Sequence, residues 1–151
     1  MCPLNLDHVS IRPMSLIDIN EVSYIEKIAT PYPWRKEQFT DSHKKHTCLI
    51  MAIGSSIIGY VIYNTVVDDA EVLNIAIHPE YQHKGYGRYL LEYLISILPK
   101  SIKRFFLEVR VTNTNAIYLY EDIGFVAICE RKNYYCSASK TEDAILMAIE
   151  L

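Results

Sequence analysis

Residues 73–98 run an apolar segment, a proline, a glycine-punctuated loop and an amphipathic helix together without interruption, and few folds accommodate that order. Leu73, Asn74, Ile75, Ala76 and Ile77 suit a short buried strand, which Pro79 ends by withdrawing a ladder donor. From Tyr89 onward Leu90, Leu91, Leu94, Ile97 and Leu98 recur at helical spacing, so Gly85 and Gly87 stand where the helix begins. A helix start carries N–H groups without helical partners and about half a positive charge. Two residues without a Cβ let the chain bend sharply there and approach an anion closely, so the stretch reads as a phosphate cradle.

Two common phosphate loops do not fit. No Gly-Lys-Ser/Thr ending makes this a P-loop, and Gly85-x-Gly87 lacks the third glycine of a dinucleotide fingerprint. Gln82-x-x-Gly85-x-Gly87 instead resembles the pyrophosphate loop of the GCN5-related N-acetyltransferases (GNAT), which bind acetyl-CoA. A glycine-rich turn without a ligand remains the alternative from this loop alone.

The 151 residues, 50% hydrophobic and 22% charged, suit one globular domain spanning 1–151 with a substantial core. Fifteen Lys and Arg against 18 Asp and Glu give a net charge of −3, which provides no electrostatic footprint for direct nucleic-acid or anionic-membrane binding. Apolar runs such as 60–63 are too short for a bilayer, and the first residues do not resemble a signal peptide. Cys2, Cys48, Cys129 and Cys136 show neither a CxxC pair nor metal-type spacing and read as reduced thiols of a cytoplasmic protein. His43 and His46 share a possible helix face, but without a Cys or second His pair nearby they read as solvated, and no metal is expected.

The patterns predict strands over 9–13, 47–53, 57–66, 70–78, 103–111, 125–131 and 144–149. Helices are expected from a Ser15-x-x-Asp18 capping box to about Ile28, over 35–42, from the glycine loop to about Leu98, and over 115–123. Residues 30–35 break the first helix with two prolines, and 54–56 join two strands as a hairpin. Antiparallel strands early and strand-helix-strand-helix-strand later make an α/β fold, a central twisted, mostly antiparallel mixed sheet flanked by helices. The same order occurs in the GNAT acyl-CoA N-acyltransferase fold.

The other informative stretch is 105–125. Alternation sets Phe105, Leu107, Val109 and Val111 on one strand face and Phe106, Glu108 and Arg110 on the other, which leaves a carboxylate in an apolar strand. A Glu108–Arg110 surface pair would explain it without function. On the next helix Ala116, Leu119, Tyr120 and Ile123 share a face, where Tyr120 is by default a core aromatic. Leu107-Glu-Val-Arg110, Asn113, Asn115-Ala-Ile, Leu119-Tyr120, Gly124-Phe125 and Arg131-Lys-Asn-Tyr-Tyr135, with Pro33-Trp34 and Asn74-Ile-Ala-Ile77 before them, resemble the RimI family of ribosomal-protein-alanine N-acetyltransferases.

That resemblance implies Glu108 as proton acceptor and Tyr120 as proton donor. It implies acetyl-CoA as co-substrate, touched by Ile75, Ala76 and Ile77 through the backbone, by His83, Lys84, Gly85, Tyr86, Gly87 and Arg88 at the pyrophosphate, and by Asn113. The implied acceptor is the N-terminal alanine on the tail of the eighteenth small-subunit ribosomal protein, with the Ile77 N–H as oxyanion donor and Tyr134 and Tyr135 lining a peptide groove. Thr112 and Lys132 depart from the usual serine and arginine. Two alternatives stand beside this reading: a GNAT enzyme acetylating a free small amine or amino acid, and a non-catalytic acyl-CoA-binding module. Glu108 and Tyr120 together favour chemistry over the latter.

Overall fold

The computed structural model describes residues 4–151. Its strands are β1 (Val9–Pro13), β2 (Thr47–Ile53), β3 (Ser56–Val66), β4 (Asp69–Ile77), β5 (Arg104–Arg110), β6 (Val126–Cys136) and β7 (Thr141–Glu150). Its helices are α1 (Ile19–Ala29), α2 (Lys36–Lys45), α3 (Tyr86–Ile97) and α4 (Thr114–Ile123). The strands form one seven-stranded sheet in the order β1-β2-β3-β4-β5-β7-β6. Pairing is antiparallel at β1–β2, β2–β3, β5–β7 and β6–β7 and parallel at β4–β5. This is the expected mixed, mostly antiparallel sheet with helices.

The chain divides into two compact units. The first comprises the described residues up to Tyr63 together with Asn74–Ile97. Here Arg12 of β1 grips Asp18 with both guanidinium nitrogens, at 2.7 and 3.0 Å, and the Asp18 carboxylate also accepts from the Ser15 N–H and hydroxyl. Arg12 is the main reason the Asp18 pKa falls to about 2. The capping motif thus works as expected, although a 3-10 turn over Leu16–Asp18 precedes the α-helix proper. Ile53 pairs with Ser56, so Gly54 and Ser55 make the hairpin turn. Val22, Phe39, Ile50, Tyr60, Leu90, Leu91 and Leu94 are fully buried. Burial at this level supplies most of the stabilisation, about 1.5–3 kcal/mol per large side chain.

The second unit comprises Asn64–Leu73 and Leu98–Leu151. The parallel β4–β5 ladder runs from Asp69↔Arg104 to Glu71↔Phe106. Burial in β5 alternates as predicted, with Phe105, Leu107 and Val109 inside and Phe106, Glu108 and Arg110 half-buried. β6 is longer than the pattern suggested: it continues past Arg131 to Cys136 because β7 pairs with it as far as Cys136↔Thr141, across register shifts. Residues 132–135, expected to follow a strand, lie within one. Cys48, Cys129 and Cys136 are free thiols, while the expectation for Cys2 concerns a residue outside the described range. Among the described residues no helix is long and apolar enough to cross a membrane.

Candidate active site

In the first unit, β4 ends at the residues expected to meet the cofactor. Gly59 of β3 allows an unusually close strand approach there, since a Cβ on it would stand 2.6 Å from Ile77 Cδ1 and 2.9 Å from the Ala76 carbonyl oxygen. The His78 N–H donates to the Ile58 carbonyl at 2.7 Å, and β3 carries a register shift beside it, where Met51 faces Gly59 and Ala52 faces Ile57. A 3-10 turn over Pro79–Tyr81 follows, started by the His78 ring, which accepts from the Glu80 N–H at 3.1 Å.

Gln82 then folds back and donates its side-chain amide to the Ile77 carbonyl at 2.9 Å, tying the loop to the strand. His83 and Gly85 adopt positive φ angles of 61° and 95°, and α3 starts at Tyr86. The glycine at position 85 is there for its conformation, because an L side chain is strained at that φ. Gly87 follows in the first helical turn, where N–H groups have no carbonyl to meet within the helix. Arg88 pairs with Glu92 at 2.7 Å, one turn along α3. Ile75, Ala76, Ile77, His83, Lys84, Gly85, Tyr86, Gly87 and Arg88 thus form one strand-turn-helix device.

In the second unit, Glu108 projects from β5 with its side chain 16% exposed, and its Oε1 lies 3.3 Å from the Arg131 guanidinium of β6. The anticipated surface partner, Arg110, instead reaches Glu142 at 3.8 Å. Oε2 of Glu108 is buried and makes no hydrogen bond. Burial raises the Glu108 pKa above the usual carboxylate range; the Arg131 charge and the Tyr134 hydroxyl pull it partly back, and Glu71 pushes it up. A carboxylate with a raised pKa and an unused lone pair is suited to taking a proton.

Tyr120, on α4, is 8% exposed and its ring lies 6.0 Å from that of Phe125. Burial pushes its hydroxyl pKa up to about 12. It is both core aromatic and buried phenol. Tyr134 and Tyr135 of β6 meet edge to face at 5.1 Å, and the Arg131 guanidinium sits 5.8 Å over the Tyr134 ring. Burial and then the Glu108 charge raise the Tyr134 pKa, while Tyr135 is raised by burial first and then by Tyr134, Glu108 and Tyr120. Glu108, Tyr120, Tyr134 and Tyr135 therefore share one electrostatic environment. Asn113 accepts from the Ala116 N–H at 3.3 Å and so caps α4. The Thr112 hydroxyl and N–H bind Glu142, and Lys132 pairs with Asp143 at 3.2 Å.

Three residues escaped the sequence reading: Glu26, Gly59 and, as the partner of Glu108, Arg131. Glu26 carried a usable signal. It falls on the apolar stripe of α1 with Ile19 and Val22, where a carboxylate requires an explanation.

Residues 14–125 match the acetyltransferase (GNAT) family, and the chain belongs to it. It is an acetyl-CoA-dependent N-acetyltransferase. Over 144 residues it is 35% identical to the ribosomal protein bS18-alanine N-acetyltransferase of Escherichia coli K12, covering 94% of this chain and 97% of that one. The crystal structure of the E. coli enzyme superposes with a TM-score of 0.86 over 94% of this chain and 93% of that one. At 15% identity, Arabidopsis thaliana NAA60 in complex with acetyl-CoA shares the fold, with a TM-score of 0.84 over 95% and 98% of the two chains.

Proposed function

We propose that this enzyme acetylates the N-terminal α-amine of alanine on the tail of ribosomal protein bS18, in the cytoplasm, with Glu108 as base and Tyr120 as acid. The observation that carries the chemistry is the half-buried Glu108 carboxylate, with its buried Oε2 unengaged and a raised pKa. The 35% identity to the E. coli enzyme supports the acceptor.

A peptide α-amine has a pKa of about 8 and is mostly ammonium at neutral pH, so it must lose a proton before it can attack a thioester. Glu108 takes that proton, directly or through one water, a transfer worth about 10²–10⁴-fold. The neutral amine nitrogen bonds to the acetyl carbon and releases its second proton to solvent water, and the Ile77 N–H donates to the oxyanion that forms. Collapse of the intermediate breaks the carbon–sulfur bond and expels the CoA thiolate, which Tyr120 meets with its hydroxyl. With a pKa of about 12, Tyr120 stays protonated throughout the working range. Against a thiol near 8.5 it is the weaker acid by about three pH units, so donating a hydrogen bond to the developing sulfur carries more of its effect than complete transfer.

The strand-turn-helix device of Ile75, Ala76, Ile77 and His83 to Arg88, with Asn113, holds acetyl-CoA in this reading, and residues 30–35 border the acceptor groove. The test is mass spectrometry of acetyl-CoA-dependent products. A peptide beginning with the mature bS18 alanine is expected to gain one acetyl group at its α-amine, with little on internal lysines, whose pKa of about 10.4 makes them harder to deprotonate. Acetyl groups found on lysine, or turnover only of free small amines, would defeat the acceptor assignment.

A further inference from the structure

Glu26 of α1 is only 3% exposed, and three donors from separate places in the chain converge on it. The Tyr60 hydroxyl of β3 donates to Oε1 at 2.8 Å. The Asn74 side-chain amide of β4 donates to Oε2 at 2.7 Å, and the Trp34 backbone N–H donates to the same oxygen at 3.1 Å. The Trp34 ring packs 5.2 Å from Phe39, which meets Tyr60 edge-on at 5.5 Å. A buried carboxylate is costly unless its lone pairs are engaged, and here they are engaged from two strands and a loop at once.

The bond to Trp34 differs from the other two. Tyr60 and Asn74 belong to strands whose ladders hold them in place. Residues 30–35 form no strand or helix, and two of their amides bond locally, Tyr32 to the Thr30 hydroxyl and Arg35 to the Gln38 side chain. The Trp34 N–H reaches eight residues back to Glu26. Its carboxylate therefore ties this loop to Asn74, the residue just before Ile75, Ala76 and Ile77.

We propose that Glu26 is a positioning residue for the acceptor: by holding the Trp34 N–H to the Asn74 end of β4, it sets the loop of residues 30–35 in the conformation that receives the substrate amine. This rests on the reading that residues 30–35 border the acceptor groove. Glu26 touches no reacting atom, and β4 keeps its own ladder without it. Its loss is therefore felt in acceptor recognition and not in acetyl-CoA binding.

The experiment compares Glu26→Leu, which removes the acceptor oxygens at similar volume, with Glu26→Gln, whose one carbonyl oxygen still accepts from Trp34 and Asn74. The leucine variant is expected to raise the acceptor KM about tenfold or more while kcat at saturation and acetyl-CoA affinity stay within about threefold, and the glutamine variant is expected to keep all three within about threefold. A folded leucine variant with unchanged acceptor KM overturns the proposal, as does a glutamine variant that behaves like the leucine one. Should Glu26→Leu fail to fold, the wild-type enzyme decides, because Trp34 is the chain's one tryptophan. Its emission is expected to change on titration with acceptor, half-saturating near the KM, and an unchanged signal overturns the proposal. The acceptor in each assay is whichever amine the wild type turns over. Failure on the alanine peptide alone therefore counts against the acceptor assignment, and Glu26 is then judged on the amine that is used.

Discussion

At Glu108 two demands conflict. Its burial disfavours the charged form, yet the proposed reaction needs the charged form as base. Arg131, 3.3 Å away, reconciles them by opposing the upward shift. The sign then follows: kcat/KM falls as the pH drops through the raised Glu108 value, and removing the Arg131 charge raises that value further. Arg131→Met is expected to move the acid limb of the kcat/KM profile to higher pH, and an unmoved limb would assign it to another group. Glu108→Gln is expected to lower kcat by about 10²–10⁴-fold and Tyr120→Phe by less, both without weakening acetyl-CoA binding. A carboxyl whose pKa is raised on folding favours the folded state when protonated and opposes it when ionised, so at neutral pH Glu108→Gln is expected to keep or raise Tm. Alternation in β5 made Glu108 legible. Its partner was not, because Arg131 lies two strands across the sheet, beyond β7, in a register set by the shifts in β6.

Among the elements, those with a strong apolar period were legible nearly to the residue. β1 and β2 have the predicted bounds, and β5 and α4 differ at their ends by one residue. β6 was not, because residues 132–136 have neither an alternating nor a helical period, and only pairing with β7 makes them a strand. The glycine loop shows the same division between local and tertiary causes. Gly85 and Gly87 announced themselves by their place before a helix, whereas the need for Gly59 exists only because β3 and β4 meet there. Substitutions at the two kinds of site should fail differently. Gly87→Asp puts a negative charge and a Cβ at the start of α3, and is expected to weaken acetyl-CoA binding at least tenfold by calorimetry with little change in Tm. Gly59→Ala must displace Ile77 and crowd the Ala76 carbonyl, a crowding that typically costs about 1–3 kcal/mol, so Tm should fall. A folded Gly87→Asp protein with unchanged affinity would make the loop a structural turn only.

For the whole molecule, the proposed single domain of residues 1–151 has to be reconciled with its two compact units. The chain passes from one unit to the other at 63–64, 73–74 and 97–98, so neither unit is a continuous stretch. β3 gives its last residues, Asn64 to Val66, to the second unit, and β4 gives Asp69 to Leu73 to the second unit and Asn74 to Ile77 to the first. Unfolding either unit alone would have to break β4 in the middle of its length, which argues for one cooperative transition. Trp34, in the first unit, provides a probe of that unit, while far-UV circular dichroism follows strands and helices of both. The two melting curves are expected to coincide. Acetyl-CoA at about 100 times its Kd adds about 2.7 kcal/mol to the folded state, and with about 2–4 °C per kcal/mol for a chain of this size the common midpoint should rise by roughly 5–11 °C. Two separate transitions, with the ligand moving only the one that Trp34 reports, would instead establish two independently stable units and end the single-domain reading.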